Sequence, residues 1–138
     1  MQGVRRQARA YALQLLYQLE INTDDSVPSL DAFWKGAEAS DQAKSFAQPL
    51  VDTTRRALEE IDPALEAVMD NWKLNRLSVV IRSLLRLAYA EMMLLGETPP
   101  AVVINEAIEL ARDFGDEESA KFVNGVLDKL AKSLPEQS

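Results

Sequence analysis

The sequence predicts an all-α protein, a compact bundle of six or seven helices in one domain over residues 1–138. Three observations carry this. Apolar residues recur at three- and four-residue steps through nearly every segment, the period of a helix with one buried face. No segment alternates apolar and polar residues as a half-buried strand would. Proline, glycine and short polar side chains fall between the periodic segments, where helices start and stop. With 138 residues, 47% of them hydrophobic, the chain can bury a real core. Roughly two-thirds of the unfolded surface is lost to solvent at such a size.

The elements follow in order. Ala8, Ala12, Leu15, Leu16 and Leu19 gather on one stripe of a first helix, which the polar run Asn22-Thr23-Asp24-Asp25 and Pro28 ends. A short helix over 30–35 should stop at Gly36. Ser40 or Asp41 can cap a helix running towards Ile61, with Pro49 bending it or delaying its start. Asp62-Pro63 reads as a restart, an acceptor at the N-cap followed by proline in the first turn. Ser78 should cap a helix over 79–95 that is apolar on most sides and therefore central. Gly96 and Pro99-Pro100 stop it. A helix over 101–114 should end at Gly115 in the left-handed conformation favoured at that position. Asp116 or a neighbour opens the last helix, running to about Leu134 before Pro135.

Composition removes whole branches of chemistry. The chain has no cysteine, hence no disulfide, thiolate nucleophile or zinc ribbon, and no histidine, hence no imidazole base, Ser-His triad or His-containing metal site. No cofactor or metal is expected. Asp113-Phe114-Gly115 matches the magnesium motif of protein kinases, but no glycine-rich loop or catalytic-loop histidine accompanies it, and it reads as a helix end. Glu106, Glu109 and Asp113 share a helical face and read as solvated acid rather than a catalytic set. A non-enzymatic protein is the expectation. Arg5-Arg6 imitates an export signal, yet Gln14 and Gln18 break the apolar stretch behind it, so a cytoplasmic location is expected.

The formal net charge of -7, from 22 acidic and 15 basic residues, at first argues against nucleic acid. Placed along the chain, the charges separate. Residues 1–19 carry Arg5, Arg6 and Arg9 without an acid; residues 71–90 carry Lys73, Arg76, Arg82 and Arg86, again without one. At about 100° per residue, Arg6, Leu13 and Tyr17 share a flank of the first helix, with Arg9 between it and the apolar stripe. Charge beside a phenol ring suits single-stranded RNA, and equally suits a wet helix whose tyrosine closes the core. Arg82 and Arg86 can line a solvated face in the same way. In the last helix Val123, Leu127, Leu130 and Leu134 make the core stripe, leaving Phe122 beside Lys121 and Asn124. Phe122 offers either a stacking surface for a base or ordinary packing. Gly125 within that helix costs about 1 kcal/mol relative to alanine, which suggests close approach by a helix, partner or ligand, or simple tolerance.

These residues together resemble the NusB family of bacterial transcription antitermination factors. The resemblance opens at Arg5-Arg6-Gln7-Ala8-Arg9 and Ala12-Leu13-Gln14-Leu15-Leu16-Tyr17-Gln18. It continues through Ile61-Asp62, Trp72-Lys73-Leu74-Asn75-Arg76-Leu77, Arg82-Ser83-Leu84-Leu85-Arg86-Leu87-Ala88 and Glu91. Its most specific parts are Val103-Ile104-Asn105-Glu106-Ala107-Ile108-Glu109-Leu110-Ala111 with Phe114-Gly115, and Phe122-Val123-Asn124-Gly125-Val126-Leu127-Asp128. It spans nearly the whole chain, weakest over residues 27–47.

The resemblance implies two packed three-helix subdomains. It also implies a non-enzymatic adaptor that, with the ribosomal protein NusE, binds single-stranded boxA RNA of rRNA transcripts and helps an RNA polymerase antitermination complex read through terminators. It carries Arg5, Arg6, Arg9, Tyr17, Glu118, Lys121 and Phe122 over as RNA-side positions. Asn124 joins them as a residue that reads a base edge or holds helix packing. Ile81, Arg82 and Arg86 fall on the partner side. Three departures stand out: Glu118 replaces a usual aspartate, Ile81 a frequent acid, and Tyr89-Ala90-Glu91-Met92 shifts the usual tyrosine by one place. Two other readings stay open. One is a protein-only helical scaffold. The other is a detached NusB-like domain of an rRNA methyltransferase, whose long catalytic domain and cysteine are missing from a chain ending at Ser138. Some relatives self-associate, so a homodimer is a further expectation of the resemblance.

Overall fold

The computed structural model describes residues 3–22, 30–70 and 72–134. They form seven α-helices: α1 (Val4–Ile21), α2 (Leu30–Ala37), α3 (Asp41–Arg56), α4 (Leu58–Ala67), α5 (Val79–Tyr89), α6 (Pro100–Phe114) and α7 (Glu117–Lys132). A 3-10 turn, Leu74–Arg76, precedes α5, and a π-helical segment, Ala90–Leu95, follows it. The described residues contain no strand. None of their helices is long and apolar enough to cross a membrane.

Helix α5 is the hub. It packs against α1, α3, α4, α6 and α7, as its nearly all-round apolar surface demands. On one side α1 lies on α3, where Ala8 and Ala12 and then Ala43 and Ala47, each pair four residues apart, are fully buried. Small side chains at that spacing let two helices close on each other. Trp34 anchors α2, its Nε1 donating to Gln48 Oε1 at 2.7 Å, its ring edge-on to Tyr11. On the other side α6 and α7 pack on each other and on α5. Leu13, Leu50, Ile61, Leu65, Leu84, Leu85 and Leu127 are fully buried in one continuous core, and α4 packs on α3 and α5.

Several caps stand where the sequence predicts. The Ser40, Ser78 and Asp116 side chains accept from the backbone N–H of Ala43, Ile81 and Ser119. Gly96 ends the π-helical segment at φ 66. Pro49 lies inside α3, and of its two expected effects the delayed start is absent. Three local expectations are corrected. Helix α2 runs through Gly36 to Ala37, and the left-handed residue is Glu38 at φ 55. Asp62-Pro63 does not restart a helix: the break falls at Ala57, and Asp62 lies mid-α4, held by Arg86. Gly115 is not left-handed (φ -135); glycine is needed there because a Cβ would sit 2.8 Å from the Ala111 carbonyl oxygen. The helix expected over 79–95 also changes its hydrogen bonding at Ala90, and the turn of π-helix places Glu91 inside the protein.

Candidate nucleic-acid interface

Four of the seven cations in the two acid-free segments, Arg6, Arg9, Arg82 and Arg86, are paired with carboxylates once folded. Arg9 is 5% exposed. Its Nε and Nη2 donate to the two carboxylate oxygens of Glu91 at 2.9 and 2.6 Å, and its guanidinium lies 5.1 Å from the Phe46 ring centre. A phosphate has no path to it in this arrangement, so Arg9 acts by holding α1 to the π-helical segment. Arg6, one turn earlier, makes the same two-pronged contact with Glu106 at 2.8 and 3.0 Å, but at the surface. The hydrogen bond from Arg6 holds the Glu106 carboxyl below its usual range. Arg5 stands over Phe46 at 5.0 Å and has no carboxylate partner among the described residues. An open groove of about 540 Å³ beside it is lined by Val4, Asp41, Gln42, Ser45 and Phe46.

The expected partner side is also knitted together. Arg82 donates to Glu20 at 3.1 and 2.8 Å and to the carbonyls of Leu74 and Leu77, both at 3.1 Å. Arg86 grips Asp62 with two bonds of 2.8 Å and reaches Glu20 at 3.3 Å. Burial works against the Arg86 charge, yet the Asp62 and Glu20 carboxylates outweigh it and raise its pKa. Four elements meet here: α1, α4, the 3-10 turn and α5. Ile81 is buried at 6% exposure, a core residue rather than a contact surface, and an acid in its place would lie in that core. The surface itself is a groove of about 490 Å³ lined by Glu20, Asp62, Glu66, Lys73, Asn75 and the two arginines.

What stays open is concentrated on α7 and its neighbour loop. Glu118, Lys121 and Asn124 are exposed, and Phe122 is half-buried. Glu118, Lys121 and Phe122 sit at i, i+3 and i+4, so they share one face. The Phe122 ring meets Trp72 edge-on at 6.1 Å, and Lys129 of α7 reaches Asp70 at 2.7 Å. The loop before α5 is therefore pinned along the face that carries Phe122. Trp72 is half exposed there, at 50%, with exposed Lys73 and Arg76 nearby in the chain. Sequence reasoning assigned no role to Trp72; a tryptophan in a polar connection, followed by lysine, was the available signal. Gly125 lies one turn from Phe122, with open space where a Cβ would go, so no helix of the described chain needs that glycine. Tyr17 is exposed on α1 at 37% and has no ring partner among the described residues, while its predicted neighbour Leu13 is buried. Glu106 and Glu109 are paired with Arg6 and Arg112, so the acidic face of α6 is partly neutralised.

Comparison with known proteins gives this surface its context. The model of the NusB family matches residues 6–132. The transcription antitermination protein NusB of Myxococcus xanthus is 43% identical over 136 residues, covering 96% of this chain and 97% of that one. The protein of the same name from Lysinibacillus sphaericus is 45% identical over 128 residues, covering 93% and 97%. Among solved structures, T. maritima NusB superposes with a TM-score of 0.83 at 35% identity, over 96% of this chain and 94% of its own. A chain from the crystal structure of antitermination factors NusB and NusE in complex with dsRNA gives 0.85 at 31% identity, over 97% and 100%. On this agreement of sequence along nearly its whole length and of fold, the chain belongs to the NusB family.

Proposed function

We propose that this chain is an RNA-binding transcription antitermination factor acting with NusE on boxA-type single-stranded RNA, within an RNA polymerase antitermination complex. It works in the cytoplasm, as one domain, as a binding adaptor and not an enzyme. The observation that carries the reading is the pairing of aromatic and basic groups on α7 and the adjoining loop, half-buried Phe122 and exposed Trp72 beside exposed Lys121 and Lys73. It stands in a chain that superposes at TM-score 0.85 on a member of a NusB, NusE and dsRNA complex.

The mechanism is division of labour. Arg5 and Arg6 hold phosphates at the start of α1, and Lys121 does so on α7, a sequence-independent contribution. Tyr17 and Phe122, with Trp72, receive unstacked bases, and Asn124 and Glu118 offer edge contacts. Arg9 contributes indirectly, by fixing the helix that carries Arg5, Arg6 and Tyr17. Arg82 and Arg86 shape the partner groove by holding α1, α4 and the 3-10 turn in register, and Ile81 supports it from the core. So few phosphate contacts give modest affinity, and NusE extends the surface. Titrating labelled boxA RNA with and without NusE tests this: boxA binds more tightly than a scrambled RNA of equal length, and more so with NusE. Equal affinity for both RNAs in both conditions refutes the reading.

A further inference from the structure

Arg6 and Arg9 use the same fork geometry on a carboxylate, but in different surroundings. The Arg9–Glu91 pair is buried, with both side chains below a tenth exposed. The Arg6–Glu106 pair is open: the Arg6 side chain is 43% exposed and Glu106 18%. A two-pronged guanidinium–carboxylate contact occupies the N–H donors that a phosphate would use, since both anions fit the fork. The charges of Glu109 and Asp113 also act on Arg6, one and two turns along α6. Arg5, by contrast, rests on Phe46 with no carboxylate among the described residues.

We propose that Glu106 is an internal competitor for RNA phosphate at Arg6, an acid of α6 that limits the affinity of the α1 arginines. This rests on the RNA-binding reading above. For Arg6 to take a phosphate, the Glu106 fork opens and the freed carboxylate returns to solvent with a cation. Arg5 binds without such an exchange. The contact therefore lowers binding to every RNA by a similar factor, because phosphates carry no sequence. Base contacts on α7 then decide which RNA still binds at working concentration.

The experiment is a cycle of Glu106→Gln, Arg6→Ala and the double variant. Binding to boxA and scrambled RNA is measured over a salt series, with thermal unfolding to confirm the fold. Glu106→Gln keeps the side-chain shape and removes the charge. Binding of both RNAs is expected to tighten about threefold to fivefold, the scale of an exposed ion pair. The dependence of log K on log salt should steepen, because phosphate capture no longer returns a carboxylate and its share of cation to solvent. Arg6→Ala should lose more affinity when combined with Glu106→Gln than in the parent chain. Unchanged or weakened binding with an unchanged salt slope, in protein that unfolds at the parent temperature, overturns the proposal and leaves the pair a structural anchor. If the parent chain fails to prefer boxA, the functional reading falls instead, and the salt slope on scrambled RNA still decides the role of Glu106.

Discussion

Arg9 and Glu91 lie 82 residues apart and meet inside the protein, through hydrogen bonds of 2.9 and 2.6 Å. The guanidinium reaches across from α1, and the carboxylate is presented by the single π-helical segment of the described chain. Phe46 of α3 covers the arginine, so three elements converge on one buried ion pair. No buried side-chain nitrogen or oxygen among the described residues lacks a hydrogen-bond partner.

Breaking this pair on one side is expected to be severe. Glu91→Ala strands a buried guanidinium, and Arg9→Ala strands a buried carboxylate, each at about 3–5 kcal/mol. Arg9→Met combined with Glu91→Leu should recover much of that loss, since neither charge then needs burial. Urea unfolding of the three variants checks the ordering. Two single variants as stable as the parent would show that the pair contributes little.

The two glycines near α7 should respond in opposite directions. Gly115→Ala places a Cβ 2.8 Å from the Ala111 carbonyl oxygen, so overpacking should destabilise by about 1–3 kcal/mol. Gly125→Ala meets open space within a helix and should stabilise by up to about 1 kcal/mol. Melting temperatures separate them. If Gly125→Ala raises the melting temperature while weakening RNA binding, the glycine serves ligand approach and not the fold.

Trp72 and Phe122 are expected to act as one aromatic surface. Stacking contributes about 1–3 kcal/mol per base, so alanine at either position should weaken boxA binding roughly tenfold to a hundredfold. Because the rings touch at 6.1 Å, the double variant should lose less than the sum of the singles. Fluorescence of Trp72 offers a direct readout, with quenching on RNA addition that disappears in Phe122→Ala only if the pair moves together.

Acid should destabilise the fold, while the neutral range should be flat. The backbone N–H of Ser119 holds Asp116 below its usual 3.8, and Arg6 and Arg112 hold Glu106 and Glu117 below 4.5. A carboxylate whose folded pKa is depressed contributes stability above its unfolded value. That stability is lost as pH falls through 4.5 and 3.8 towards the lower folded values. With no histidine in the chain, no imidazole titrates between pH 5 and 8. Unfolding free energy measured from pH 8 to pH 3 should stay level and then fall, and Asp116→Asn should soften the fall. A step near pH 6.5 would contradict this account.

Much of the helical layout was legible because capping is short-range chemistry. Ser40, Ser78 and Asp116 each satisfy an N–H three residues ahead, so the signal and its effect lie in one turn. Asp62-Pro63 misled for the opposite reason. Its carboxylate is claimed by Arg86, 24 residues on, and Ile61 and Leu65 are pulled into the core, so α4 runs straight through the local restart signal. Gly115 was placed at the right boundary for the wrong cause, since crowding by Ala111 and Ser119, and not handedness, excludes a side chain. In the candidate site, Lys121, Phe122 and Asn124 stood out by their helical phase. Trp72 did not, because it lies in a loop and its value comes from the Phe122 ring of α7, 50 residues on.

By itself the sequence determined the helical class, the hub character of α5, the absence of cysteine and histidine chemistry, and the family. These depend on periodicity, composition and motif order, which are properties of the chain read along its length. Tertiary structure alone decided which charges are available. Arg6, Arg9, Arg82 and Arg86 sit in acid-free segments, yet each meets a carboxylate 24 to 100 residues away. Charge acts through space at a few ångströms, so a basic stretch becomes a binding surface only where folding leaves it unpaired or openly paired. Arg5 and Arg6 keep that freedom at the surface, and Arg9 gives it up to hold the helix that carries them.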